Sequence, residues 1–579
     1  MIYEFQILDI SQDDVGPSWF DKEYIITLYG KTNIGQNIVC NIRGFEPYFY
    51  IKLPSSWPDS YKYIFLEKID KNYKNIINAN NKKLIIRSYK DLYGYNVDEH
   101  GQVKKYSFLK LHFKNYMGFC KFRKNVIKYY AENIDTSDSK IKQWINCNSE
   151  ECDSCLYESS ISPIIKFIHD KNINPSGWVK VNNYTEPEIN NFRPEIVIDS
   201  RIIDIESIDR DDINDFKIAS FDIECDSQTG AFPLAVKDFR KPAQDILTIY
   251  YEMTRNYTEY SEKEKIDIIR NLLENVYSIK DDMNIHKIIL KEEIKINIDD
   301  FDILSEDFIK KIDLSLIDKK QRESVIDLII RDLESKHKKN PIKGDPIIQI
   351  GTVFYNYISK TFKRYLIVIG YNNDEDICSD IDGVIVIRCE TENKLLLEWV
   401  NLIDEEDPDF ITGYNILGFD FKYINDRVIE LCVNDFFDMG RLKATCDDYY
   451  FKKCKYVDKN KFWGDKEEGS TANAFNTTTM IEMDGRVIFD IQKEITKGHN
   501  LESYKLDNVS SHFMRGVIEK IITLRVIEGT TNKRYIKLYT KNIRQLKIND
   551  YITLNTYSNV GEMLFMNGTK FIIETIEDN

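Results

Sequence analysis

The sequence predicts a multidomain protein of mixed α/β and α+β class, and three passages carry that expectation. Residues 1–200 alternate short apolar runs with turn residues, the pattern of a mixed domain rich in antiparallel strands. Residues 216–221 read as a strand running into two carboxylates, and residues 409–427 read as strand, turn and helix. Residues 514–579 return to short strand-like runs split by turns. At 42% hydrophobic and 13% aromatic residues the chain is globular rather than disordered. Its 579 residues are enough for about two to four domains.

In chain order, residues 24–29, 38–42 and 48–53 have strand character. Helices are expected over 59–71 and 162–172, a polar surface loop over 133–155, and a connector over 182–200. Helical spacing dominates 266–273 and 325–330. Phe216 to Phe221 is a strand; 409–414 is another, Gly413 and Gly418 allow a turn, and helical spacing starts at Phe419. Beyond 513 the runs 521–527, 534–539, 551–556 and 570–576 are short strands, with turn signals at Gly529 and Asn567-Gly568.

Asp222 and Glu224 stand two apart on the strand, so their side chains share a face. Paired carboxylates at the end of a buried strand are costly without a counter-charge, and Mg²⁺ or Mn²⁺ suits carboxylate oxygens. The plain alternative is a solvated pair at a strand end. Asn415 and Asp420 fall where strand gives way to helix, a frequent place for a site in an α/β sheet. For Asp420 the plain alternative is a carboxylate favoured by the helix N-terminus.

Together these segments resemble the first and second exonuclease motifs of family B DNA polymerases of the delta type, with a flavour of those from large cytoplasmic DNA viruses such as the mimivirus group. The carriers are F-D-I-E-C at 221–225 and D-P-D-F-I-T-G-Y-N-I-L-G-F-D from 407 to 420. Gly44 to Tyr50, Tyr157 to Trp178, Asp345 to Ile350, Gly485 to Asp490 and Leu501 to Phe513 resemble further family segments in the family's order. The resemblance implies a ribonuclease-H-like 3′–5′ exonuclease domain behind an N-terminal polymerase-type domain. The expected domains are 1–200, 201–513 with a helical insertion over about 236–340, and a small β-rich module over 514–579. It implies two Mg²⁺ or Mn²⁺ ions held by Asp222, Glu224 and Asp420 as the catalytic set, with Asn415 and Phe419 positioning the terminal nucleotides. Asp490 falls in a motif that matches a structural strand, so it is not expected to be a ligand.

The family's third exonuclease motif is Y-x-x-x-D, and no Tyr beyond Phe513 has an Asp four residues on. The polymerase motifs S-L-Y-P-S and Y-G-D-T-D-S do not occur. The expectation is therefore the N-terminal, proofreading portion of a DNA-directed DNA polymerase, a fragment or half of a split gene, with an incomplete nuclease site. The alternatives are a stand-alone 3′–5′ exonuclease and a non-catalytic DNA-binding or scaffolding piece. Implied partners are DNA, as a single-stranded 3′ end or primer–template, the C-terminal polymerase portion, and a sliding clamp. Implied locations are a viral factory in the cytoplasm or the nucleus of an infected host.

Net charge is −16, yet residues 61–130 hold 16 Lys and Arg against 5 Asp and Glu, with aromatics interleaved. Lys82, Lys83 and Arg87 are the chosen phosphate contacts in this stretch; a solvated basic face is the alternative. Cys147, Cys152 and Cys155 have zinc-like spacing, but a fourth ligand is absent and His169 is the nearest candidate, so free thiols are expected. His499 and His512 are expected to be structural or exposed. The eleven scattered cysteines suit a reducing compartment. No run of about 18 apolar residues suggests a membrane span, and the first residues have no signal-peptide pattern.

Overall fold

The computed structural model describes residues 2–16, 22–53, 60, 63, 67, 83–88, 105–120, 122–123, 156–187, 192–227, 232–255, 260–315, 319–372, 375–376, 378–433, 439–442, 455–458, 479–528, 531–543, 546–558 and 561–577. They fall into two compact units, Met1–Ile491 and Gln492–Asn579.

Among the described residues the first unit opens with ten strands: β1 (Tyr3–Val15), β2 (Glu23–Thr32), β3 (Asn37–Arg43), β4 (Tyr48–Lys52), β5 (Lys83–Ser88), β6 (Lys105–His112), β7 (Leu156–Tyr157), β8 (Trp178–Val181), β9 (Ile196–Arg201) and β10 (Ile205–Ile208). They form a six-stranded sheet in the order β10-β8-β1-β2-β3-β9 and a four-stranded sheet in the order β5-β6-β4-β7. Helix α1 (Pro163–Asp170) lies between β7 and β8 in sequence, where a helix was expected. Phe45, Tyr48 and Tyr50 of the aromatic 44–50 segment are buried in the core of these sheets. Residues 182–200 are not merely a connector. Val197 and Ile198 are buried, and β9 runs parallel to β3 from Ile196 to Arg201. A run with apolar neighbours on both faces is worth more in a sheet than in solvent. Of the helix expected over 59–71, residues 60, 63 and 67 are described, as helix; the rest, the loop 133–155 and the three clustered cysteines lie outside the described residues.

Strand β11 (Lys217–Cys225) starts the second sheet and carries Asp222 and Glu224 within it. Among the described residues, four α-helices follow before the next strand: α2 (Arg240–Thr254), α3 (Glu262–Val276), α4 (Glu306–Ser315) and α5 (Lys319–Lys336). Their apolar faces meet in one core that includes Tyr250, Leu272, Ile329 and Leu333. Ser261 caps α3 through a capping box with Glu264. The chain then returns as β12 (Ile347–Asn356), β13 (Phe362–Ile369), the short pair β14 (Tyr371–Asn372) and β15 (Glu375–Asp376), β16 (Ile385–Cys389), α6 (Glu392–Glu406), β17 (Phe410–Gly413), α7 (Asp420–Leu431), the pair β18 (Lys455–Asp458) and β19 (Thr479–Glu482), and β20 (Val487–Asp490). The sheet order is β16-β13-β12-β11-β17-β20. β12 is antiparallel to both neighbours, and the other pairings are parallel.

One face of this sheet is dry. Ala219, Phe221 and Ile223 of β11 pack with Trp399 of α6 and Phe421 of α7. The Trp399 ring lies 4.8 Å from that of Phe221, and its indole N–H donates to Thr352 Oγ1 at 3.1 Å. By strand alternation Ser220, Asp222 and Glu224 face the other way, and all three are exposed.

In the second unit α8 (Ile491–Gly498) spans the boundary and α9 (Leu506–Phe513) follows. Then come β21 (Ile518–Glu528) paired with β22 (Thr531–Thr540), β23 (Tyr551–Ile552) with β26 (Phe571–Ile572), and β24 (Asn555–Ser558) with β25 (Gly561–Leu564). The strand expected over 570–576 is shorter than its apolar run: its ladder with β23 covers Phe571 and Ile572. Asn567 and Gly568 take the left-handed turn conformation, at φ 54° and 78°.

Candidate nuclease site

The site forms where β11, β17 and β20 run side by side and parallel. Register places Ser220 beside Thr412 and Gly413 beside Asp490. The chain leaves β17 through Gly413, turns over residues 414–419 and enters α7 at Asp420.

The turn works differently from a glycine turn. The left-handed residue is Asn415, at φ 60°, which Asn tolerates better than most side chains. Its carbonyl accepts from Gly418 N at 3.0 Å and Phe419 N at 2.9 Å. Gly413 and Gly418 serve close approach instead. A Cβ on Gly413 would lie 2.6 Å from the Phe221 carbonyl oxygen, and one on Gly418 would lie 2.3 Å from Asn415 Oδ1. Asp490 locks the turn from the neighbouring strand. Its carboxylate accepts from Asn415 N at 2.8 Å and Leu417 N at 3.1 Å. It is therefore structural, as its motif suggested.

Asp222 and Asp420 come together from distant parts of the chain, while their environments differ. Asp420 is 2% exposed at the first turn of α7 and accepts from Ile223 N at 3.3 Å. Asp222 stands exposed on β11. Burial, then the charge of Asp222, which is also in hydrogen-bond contact, pushes the Asp420 carboxyl up to about 7. The cost of burying a carboxylate thus falls on Asp420, not on the strand pair: Asp222 and Glu224 occupy the open face rather than a buried strand end. Glu224 stands two residues on along that face. Among the described residues no group of three or more His, Cys, Asp or Glu is close enough to hold a metal ion. Two touching carboxylates share either a proton or a cation, and that donor set fits a divalent ion. Cys225 is no rival nucleophile, since burial pushes its thiol up to about 12.

An aromatic row flanks the carboxylates. The Phe419 ring lies 5.5 Å from Tyr423 and 5.8 Å from Phe232. No pattern in the sequence points to Phe232; its place depends on a loop held by a distant residue. Asp345 is that residue. Its carboxylate accepts from Leu234 N at 2.9 Å and pairs with Lys237 at 2.5 Å, while its carbonyl accepts from Tyr423 Oη at 3.0 Å.

The D-P-D segment ahead of β17 is structural too. Asp409 is fully buried and pairs with Lys31 of β2 at 2.5 Å and with Arg441 at 2.7 Å. Asp407 takes Arg441 at 3.0 Å and Arg486 at 2.6 Å. Of the proposed phosphate contacts, Lys83 and Arg87 lie on β5, opposite Lys110 and Tyr106 of β6; their side chains, and Lys82 altogether, lie outside the described residues. His169 is exposed, and so are His499 and His512, as expected.

The family described as "DNA polymerase family B, exonuclease domain" matches residues 154–272 and 268–509. The chain belongs to this family. It is 29% identical over 95% of its length to a DNA polymerase of Pyramimonas orientalis virus, covering 44% of that protein. It is 24% identical over 85% of its length to a DNA polymerase delta catalytic subunit of Dictyostelium discoideum, covering 32% of it. It is 22% identical over 99% of its length to a DNA polymerase of Acanthamoeba polyphaga mimivirus, covering 30% of it. The chain thus spans less than half the length of each of these three relatives. Among the described residues no helix is long and apolar enough to cross a membrane.

Proposed function

We propose that this chain supplies the 3′–5′ proofreading exonuclease of a DNA-directed DNA polymerase, hydrolysing phosphodiesters from a single-stranded 3′ end. The observation that carries the reading is the contact between Asp222 and Asp420 on a sheet with one antiparallel strand among parallel ones. That order and those directions favour a ribonuclease-H-like domain. In the reaction a water oxygen bonds to phosphorus, the bond to the 3′ oxygen breaks, and the water proton ends on that leaving oxygen.

Asp222, Glu224 and Asp420 are the residues that would hold two Mg²⁺ or Mn²⁺ ions. Such ions, when bound, lower the pKa of the attacking water and stabilise the leaving oxygen. The chain's own part is preorganisation. Asp490 fixes the turn that carries Asn415, and the helix N-terminus holds Asp420 against Ile223 N. Phe419 offers a half-exposed ring beside Asp420 for a terminal base. Residues 61–130 supply basic charge for the phosphate backbone.

The domain reading of 1–200, 201–513 with its insertion, and 514–579 belongs to this proposal. So does work inside an infected cell, in a viral factory or the nucleus, with the polymerase portion and a sliding clamp as partners. The sequence offers no Tyr-x-x-x-D beyond Phe513, so digestion by these 579 residues alone is expected to be slow.

The test is digestion of a 5′-labelled oligonucleotide by the chain, alone and joined to a family polymerase portion. Mg²⁺ should be required, and Asp222→Ala should abolish digestion in the joined protein while sparing primer extension. Unchanged digestion by that variant would sink the reading. Replacing Lys82, Lys83 and Arg87 with Ala should weaken single-strand binding and lower the log–log salt slope by about 0.7 per lost contact. An unchanged slope assigns those side chains to a solvated face.

A further inference from the structure

The β21–β22 hairpin of the second unit runs against the charge of the chain that carries it. Net charge is −16, yet residues 518–540 hold five Lys and Arg against two Glu. None of the five cations has an acid as its partner across the ladder. Lys520 is opposite Tyr539, Lys533 opposite Val526, Lys537 opposite Ile522, and Arg525 opposite Arg534. Like charges directly opposed weaken an antiparallel pair, so a hairpin tuned for stability alone would put an acid at one of those two places.

Strand β22 also orders its residues by period. Lys533, Tyr535, Lys537 and Tyr539 stand two apart, so they share one face, and cation and ring alternate along it about every 7 Å. Lys520 of β21 joins them. Its ammonium and that of Lys537 each lie 5.7 Å from the centre of the Tyr539 ring. Two cations on one ring repel each other, and at a wet site the ring attracts each of them only weakly. Lys537 also pairs with Glu577, but water reaches both, and such a pair is weak enough to be exchanged for a phosphate. The hairpin is open as well. Among the described residues of the second unit only Val509 is buried, and Tyr535 and Tyr539 are half-buried.

A merely solvated basic hairpin has no use for rings at alternate places. A face that docks an apolar protein surface has no use for cations without acids opposite. A single strand of nucleic acid uses both, since phosphates neutralise the cations and unpaired bases stack on the rings. We propose that this face of β22, with Lys520 beside it, binds single-stranded DNA independently of sequence. DNA is the strand named because the chain belongs to a DNA polymerase family. The site uses none of the nuclease residues and needs no 3′ end, so the inference stands apart from the exonuclease reading.

The test uses the 579-residue chain without divalent ions and a circular, internally fluorescein-labelled oligothymidylate, read by anisotropy. A circle offers no 3′ end to the nuclease site. Lys520→Ala together with Lys537→Ala should lower the log–log salt slope by about 1.4, at about 0.7 per lost phosphate contact. Tyr539→Leu should weaken binding about 5- to 150-fold, the effect of one lost stack. Tyr539→Phe keeps the ring and should bind as the unaltered chain does. In the unaltered chain, a circle carrying 5-iodouracil should cross-link on irradiation to Tyr535 or Tyr539, located by mass spectrometry. An unchanged slope in the lysine variant, equal affinities of Tyr539→Leu and Tyr539→Phe, or cross-links confined to other residues would overturn the inference. An oligouridylate circle or a duplex circle that binds more tightly than the thymidylate circle, and loses that affinity in the same variants, would overturn the assignment to single-stranded DNA.

Discussion

Asp420 meets two contrary demands. At the first turn of α7 its charge complements the helix N-terminus, yet it is buried against a second carboxylate. Without a divalent ion the balance favours the proton, so its folded pKa lies near 7, above the ordinary 3.8. A raised carboxyl pKa contributes stability that is complete below about pH 4 and is lost as pH climbs through about 7. Thermal unfolding without divalent ions should therefore show lower stability at pH 8 than at pH 4, on the order of 2 kcal/mol. A tenfold change in proton affinity is worth about 1.4 kcal/mol, and water at the exposed Asp222 screens part of the total. Mg²⁺ should restore more stability at pH 8 than at pH 5, because it binds the deprotonated form. Asp420→Asn should flatten both dependences. A pH and Mg²⁺ response equal to that of the unaltered chain would remove Asp420 from the site.

At the scale of elements, the long passage between β11 and β12 is a set of helices with a core of its own. That core and the core under the sheet share no residue. Loop-closure entropy grows slowly with length, so a surface connection tolerates such an addition. Ile329→Ala, in the middle of α5, should cost about 2–5 kcal/mol as a cavity. The loss should appear as an earlier, separate calorimetric transition of the helical part, with single-strand binding retained below it. One lowered cooperative transition for the whole first unit would show that the helices and the sheet fold together. In the turn before α7, Gly418→Ala should leave stability within about 1 kcal/mol, since only the flexible Asn415 side chain must yield. It should lower nuclease activity if the Asn415 carboxamide positions substrate.

At the scale of the whole first unit, a buried ionic network ties the N-terminal sheet to the nuclease sheet. Lys31 on β2 meets Asp409 ahead of β17, and Arg441 bridges Asp409 to Asp407. Buried pairs of this kind are weak evidence for net stability, but removing one partner strands the others. Asp409→Ala leaves Lys31 and Arg441 facing an empty place and should cost about 3–5 kcal/mol, measured by denaturant unfolding. Asp409→Ala together with Lys31→Met should recover part of that loss, because one uncompensated charge is gone. A double variant no better than the single one would mean that Arg441 carries the whole penalty.

The sequence by itself determined the strand under Asp222 and Glu224, the strand–turn–helix at 409–427 and the helical character of the passage between them. Each of these is a local pattern, period 2 or 3.6, and local patterns survive without knowledge of partners. Family motifs also marked Asp222, Asn415, Phe419 and Asp420. Only the tertiary structure decided which carboxylate carries the burial cost, because that depends on α7 packing on the dry face while β11 turns its acids to the open one. It also decided the role of the aspartates in D-P-D, whose partners Lys31 and Arg486 are hundreds of residues and tens of residues away respectively. Phe232 is the extreme case. Nothing in its neighbours distinguishes it, and its position is set by Asp345 and Arg427 on the far side of the helical passage. Long-range hydrogen bonds and ion pairs leave no periodic trace in a chain, so they become legible only when the fold brings their ends together.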